Sequence, residues 1–171
     1  SAVSCLSIAK DELARIVSVV LTERPSVLNL TVHDVVAMGR MPYTGFFGTL
    51  GKDDERMVEQ ALRLTGMSAF ANRDISALSD GELQKIMIAR AIAQCTPVML
   101  LDEPTAFLDY ESKKNTMSML HSIAIDMDKL VVVSIHDLDI ALRHADRFVT
   151  IAPDGLREVA KAEVERMTGT K

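Results

Sequence analysis

Tryptophan is absent from this chain, cysteine occurs twice, and the aromatic complement stops at two tyrosines and five phenylalanines. With so few rings, Leu, Ile, Val, Ala and Met must fill the core. Cys5 and Cys95 make no disulfide framework and point to a reducing compartment; Cys95 falls in a helical pattern, where a buried thiol is ordinary. No apolar run approaches the ~20 residues of a membrane span, and no secretory signal opens the sequence. Direct membrane insertion is therefore excluded, and any membrane association must run through a partner protein. Excess positive charge is missing too: the net charge of −5 argues against a general nucleic-acid or anionic-lipid surface. Apolar residues are plentiful at 48% of 171, enough for one substantial core, or one core with a small appended subdomain.

The most informative stretch is Val98-Met-Leu-Leu-Asp-Glu-Pro-Thr105. Its continuous apolar run, bounded by Pro97 and Pro104, suits a parallel strand buried on both faces. Open α/β sheets place their chemistry at the C-terminal ends of such strands. Asp102 and Glu103 stand at that end, where a metal and a reacting phosphate can meet.

Before this strand, residues 10–15 read as a short helix and residues 16–20 as a β-branched strand ended by Thr22-Glu-Arg-Pro25. Thr31 caps a following helix, with Asp34 three residues on as a variant capping box and Val32, Val35, Val36 and Gly39 on its apolar face. Residues 40–52 read as a loop whose aromatics, Tyr43, Phe46 and Phe47, mark either a contact surface or a buried seam. Asp53, Asp54 and Glu55 open a second helix that carries Met57, Val58, Ala61, Leu62 and Leu64 and stops at Gly66. Gly48-Thr-Leu-Gly-Lys52 only looks like a phosphate loop: Phe46 stands where the first glycine belongs and Asp53 where Ser or Thr would hold magnesium. Ser79 and Glu82 form a capping box for a helix over residues 79–93, whose free N–H groups and glycine also suit an anion. Residues 110–126 read as a helix, 129–135 as a second buried strand ending at His136, 137–144 as a helix, and 147–151 as a third strand. Asp154-Gly155 signals a turn into residues 156–159. Alternating strands and helices call for an α/β sheet.

Taken together, Leu78-Ser-Asp-Gly-Glu82, Val98 to Thr105, Phe107-Leu-Asp109 and Ser134-Ile-His136 resemble the nucleotide-binding subunits of ABC transporters. They match, in order, that family's signature motif, Walker B, D-loop and switch histidine. Residues 30–43 resemble the importer branch serving iron–siderophore, haem and cobalamin uptake. The resemblance implies an α/β, P-loop NTPase-like core that uses ATP and Mg2+. Residues 1–29 and 79–171 would belong to this core, with residues 30–78 an inserted helical subdomain that docks on the permease. Asp102 would hold magnesium directly or through water, Glu103 would act as general base, and His136 would contact the γ-phosphate and the attacking water. Ser79, Gly81 and Glu82 would face ATP on a second, head-to-tail nucleotide-binding subunit, and Asp109 would line that seam. The resemblance also implies a cytoplasmic protein, peripheral on the inner face of the bacterial membrane through transmembrane permease subunits.

Three departures qualify it. Asp80 replaces a signature glycine, with Glu82 at the usual glutamine. Thr22, beside Glu23, stands at the Q-loop position. Finally, no Walker A motif occurs, so the chain reads as a single partial domain, N-terminally truncated, unable alone to bind ATP tightly or hydrolyse it. The competing readings are a non-catalytic interaction module docking on a permease or partner ATPase, and a soluble non-transport ABC ATPase.

Overall fold

Val98–Asp102 is the middle strand, β2, of a three-stranded parallel sheet ordered β1-β2-β3, with β1 at Val17–Val20 and β3 at Leu130–Ser134. A computed structural model describes residues 8–22, 29–45, 48–153 and 155–167 of the chain. Cys5, Glu23, Phe46, Phe47 and Asp154 lie outside the described residues. The register Val20↔Leu101↔Val133 and Asp102↔Ser134 brings the C-terminal ends of the strands together. Between β1 and β2 the chain is helical, with α2 at Val32–Ala37, α3 at Lys52–Leu64 and α4 at Asp80–Ala93. The preceding helix, α1, spans Lys10–Ile16, and α5 at Tyr110–Asp126 joins β2 to β3.

Among the described residues, only one face of the sheet is covered. Ser18, Val20, Met99 and Leu101 point into a core shared with Ile86, Ile88 and Ile92 of α4 and Leu120 of α5. Burying each large aliphatic side chain there contributes about 1.5–3 kcal/mol. On the opposite face Val19, Leu100, Val132 and Leu130 remain 43%, 38%, 46% and 61% exposed. The expected burial of β2 on both faces is thus overturned: its side chains alternate, as they do in any strand with one partnered surface.

The helical stretch is joined tightly to α4. Gly39 sits against α4 so closely that an added Cβ would lie 2.2 Å from the Arg90 carbonyl oxygen. Beside it, buried Arg40 donates from Nε to Asp54 Oδ1 (2.9 Å) and from Nη1 to the Ala93 carbonyl at the end of α4 (2.7 Å). Its guanidinium also lies 4.0 Å from the Tyr43 ring centroid. Met38–Tyr43 is a 3-10 helix and not the expected loop; it carries Arg40 inward, while Tyr43, stacked over the guanidinium, stays exposed.

Other boundaries move for local reasons. Ile16 completes α1 and does not begin the strand. Leu64 of α3 is exposed, while Thr65 and Met67 just beyond it are buried. Cys95 follows the helix, exposed and with φ 54°, so the expected buried helical thiol is also corrected. Phe148–Ala152 (β4) pairs antiparallel with Gly155–Val159 (β5) as a separate two-stranded sheet, so it is not a third strand of the main sheet. Leu138–His144 (α6) precedes this hairpin and Lys161–Met167 (α7) follows it.

Candidate nucleotide site at the strand ends

A parallel register leaves the last residues of β1, β2 and β3 side by side, and their side chains carry the polar chemistry. Thr22 Oγ1 lies 2.9 Å from the Asp102 carbonyl oxygen and 3.2 Å from its Oδ2. Ser134 Oγ donates to Asp102 Oδ1 at 2.7 Å and accepts the Glu103 N–H at 2.9 Å. Next to this group, His136 Nε2 meets Glu103 Oε1 at 2.7 Å. Thus Thr22, Asp102, Glu103 and His136 form one cluster.

Its backbone is unusual. Glu103 adopts φ 44° and Phe107 φ 62°, bracketing a turn closed by the Ala106 N–H on the Glu103 carbonyl at 2.9 Å. Left-handed backbone in such residues costs about 1–3 kcal/mol each. The Glu103 and His136 side chains are 39% and 87% exposed. An ion pair so open to water contributes only about 0–1 kcal/mol.

Asp102 fits a hard cation. Oδ1 accepts the Ser134 hydroxyl, Oδ2 lies 3.2 Å from the Thr22 hydroxyl, and both oxygens keep lone pairs free. No group of three or more His, Cys, Asp or Glu able to hold a metal occurs among the described residues. Magnesium characteristically uses one or two carboxylates and completes its shell with water and substrate phosphate, which this donor set suits.

A second group lies at helix N-termini. Ser79 caps α4: its N–H and hydroxyl donate to Glu82 Oε2 at 2.8 and 2.7 Å, and its Oγ accepts the Glu82 N–H. The Ser79 hydroxyl, then its N–H, hold the Glu82 carboxyl below its ordinary range. Asp109 caps α5 and is held low in the same way by the Ser112 hydroxyl and N–H. A Cβ on Gly81 would meet Leu108 Cδ2 at 3.6 Å, so these two helix starts are neighbours within the chain. Phe107, beside them, is 82% exposed. The N-terminus of α3 is closed by the carboxylate half of the same kind of box: Asp54 Oδ2 accepts the Gly51 N–H at 2.9 Å.

Ser134 and Arg40 carry weight that sequence reasoning missed. Ser134 was visible only as part of a motif, although the register places it directly opposite Asp102. Arg40, in a run read as loop, gave no such signal.

Residues 5–106 match the family model described as ABC transporter. The chain is 43% identical over 140 residues to an uncharacterised ABC transporter ATP-binding protein of Methanocaldococcus jannaschii, covering 82% of this chain and 48% of that protein. It is 47% identical over 122 residues to a cobalamin import ATP-binding protein of Halobacterium salinarum (71% and 30% covered). With an iron(3+)-hydroxamate import ATP-binding protein of Bacillus subtilis the identity is 35% over 161 residues (85% and 59%). Among solved structures it resembles an inward-facing ABC transporter assigned to the metal-chelate type, at TM-score 0.80 and 28% identity, covering 86% of this chain and 59% of that one. A dimeric bacterial ABC transporter cassette matches at TM-score 0.69 and 27% identity (83% and 62%). The chain therefore spans roughly a third to three-fifths of the curated relatives it matches. Its α/β fold is that of the ABC ATPase cassettes, and the chain belongs to the ABC transporter family.

Proposed function

We propose that this chain carries half of an ATP-hydrolysing site that powers an importer, with cobalamin or an iron chelate as the transported class. The contact that supports this best is His136 on Glu103 at 2.7 Å, at the edge where Asp102 is held by Thr22 and Ser134. In this reading Glu103 accepts a proton from the attacking water as general base, while His136 orients both the carboxylate and the γ-phosphate. Asp102 takes the metal side, and Thr22, at the Q-loop position, fixes its second oxygen. Magnesium, when bound, supplies charge neutralisation for the β- and γ-phosphates.

Ser79, Gly81 and Glu82 then serve the ATP of a second, head-to-tail subunit, with Asp109 along the seam. Residues 30–78 act as a docking subdomain for the permease, and residues 1–29 and 79–171 as the catalytic core. The names of the cobalamin and hydroxamate import relatives support the cargo class. In this reading the chain docks through permease subunits at the cytoplasmic face; no helix among the described residues is long and apolar enough to cross a membrane. Residues 1–171 hold no phosphate-cradling G-x-x-x-x-G-K-[ST] loop, so this stretch alone neither binds ATP tightly nor turns it over.

Steady-state ATP hydrolysis by the full-length protein tests the proposal. Glu103→Gln is expected to lower turnover about 10²–10⁴-fold while ATP binding survives. Turnover equal to wild type would overturn the assignment, as would hydrolysis by residues 1–171 above their own Glu103→Gln control.

A further inference from the structure

The hydroxyl of Ser134 occupies an uncommon position between two functional groups on the neighbouring strand. Its single proton goes to Asp102 Oδ1 at 2.7 Å, and one lone pair takes the Glu103 N–H at 2.9 Å. The register Asp102↔Ser134 makes this geometry a property of the sheet, because in-register residues of adjacent strands project from the same face. From β1's side the Thr22 hydroxyl lies 2.9 Å from the Asp102 carbonyl oxygen and 3.2 Å from its Oδ2, so Asp102 is contacted from both neighbouring strands. Glu103 leaves β2 at φ 44°, a conformation a glutamate does not adopt without support. Its N–H bond to Ser134 and the turn closed by Ala106 supply that support. The direction in which the Glu103 side chain departs, toward His136, follows from this backbone setting.

We propose that Ser134 is a positioning residue for the ATPase reaction: one hydroxyl orients the metal-side carboxylate of Asp102 and the main chain that aims Glu103 at His136. This rests on the proposed ATPase reading and assigns a residue that the motif resemblance leaves without a role. A purely structural part is poorly served by this position, since Ser134 is exposed at the strand end and removing its hydroxyl opens no core cavity.

Ser134→Ala, Ser134→Cys and Ser134→Thr in the full-length protein test the inference by two independent readouts. The first needs no turnover: amide hydrogen exchange at Glu103 in nucleotide-free protein should accelerate about 10-fold in the Ala and Cys variants and stay near wild type in Thr. The second is kinetic: in Ala and Cys, kcat should fall about 10–100-fold and the Mg2+ concentration for half-maximal activity should rise similarly. KM for ATP should move less than about threefold, and Thr should restore both kinetic values. Unchanged exchange at Glu103 in Ser134→Ala overturns the proposal, and so does a Thr variant as impaired as Ala. If the wild-type protein hydrolyses no ATP, the ATPase reading fails, and the exchange measurement still decides whether Ser134 sets the Glu103 backbone.

Discussion

Replacing Gly39 by alanine probes the join between the helical stretch and α4. The added methyl would sit 2.2 Å from the Arg90 carbonyl oxygen and 3.2 Å from the Gln94 nitrogen, both main-chain atoms at the end of a well-buried helix. Ordinary contact, at about 3.5–4.0 Å, lies well beyond the first of these distances and a few tenths of an ångström or more beyond the second. Neither atom can swing away as a side-chain tip could, so the Met38–Tyr43 segment must retreat. Overpacking of this kind costs about 1–3 kcal/mol. Retreat also stretches the 2.7 Å bond from Arg40 to Ala93, made by a charged donor in a buried place. Its loss adds about 1.5–3 kcal/mol. A combined loss of about 3–5 kcal/mol is large against a usual total stability of about 5–15. With a urea slope near 2 kcal/mol/M, the unfolding midpoint should drop by roughly 2 M in the full-length protein, followed by far-UV circular dichroism. Gly45→Ala, whose new methyl meets nothing within 4 Å, is the control and should leave the midpoint in place. A Gly39→Ala midpoint within roughly 0.5 M of that control would refute the close-approach reasoning.

Acid should destabilise the fold through its capping carboxylates. The Thr31 hydroxyl and N–H hold Asp34 low, and the Gly51 N–H and then Arg40 hold Asp54 low. Because these folded pKa values lie below the unfolded ones, the unfolded chain binds protons first as pH drops. Their stabilisation is complete above the ordinary carboxylate range and is lost below it, so melting temperature should fall between pH 5 and 3, about one unit each side of that range, and Asp54→Asn should flatten the slope. His144, held low chiefly by burial and then by His121, Arg143 and Lys114, resists protonation when folded. It therefore adds a loss that begins as pH drops through the ordinary histidine range, and His144→Gln should remove that part. Finally, the exposed row Val19, Leu100 and Val132 should make residues 1–171 self-associate at micromolar concentration, and Val132→Lys should shift light scattering toward monomer. A monomeric wild-type chain would contradict that expectation.

Local rules made much of the fold readable. The capping boxes at Thr31 with Asp34 and Ser79 with Glu82 need only four consecutive residues, and both form as the sequence suggests. The apolar runs at 98–102 and 130–134 likewise become the paired strands β2 and β3. Features set by distant partners were hidden. Whether Leu100 is covered depends on what lies over the sheet, not on its neighbours in sequence. The 3-10 turn at Met38–Tyr43 follows from Arg40 reaching Ala93, 53 residues away. The same holds at the site: Asp102, Glu103 and His136 announce themselves through strand ends and motif order. Ser134 becomes meaningful only once the register sets it opposite Asp102.

The central claim is that Glu103 and His136 act as one unit, and a double-mutant cycle in ATP turnover by the full-length protein tests it most directly. If they do, Glu103→Gln and His136→Ala each cost about 10²–10⁴ in kcat, and the double variant is no worse than the more impaired single. Losses that multiply across the two substitutions, or a His136→Ala variant that turns over ATP at the wild-type rate, would contradict the account.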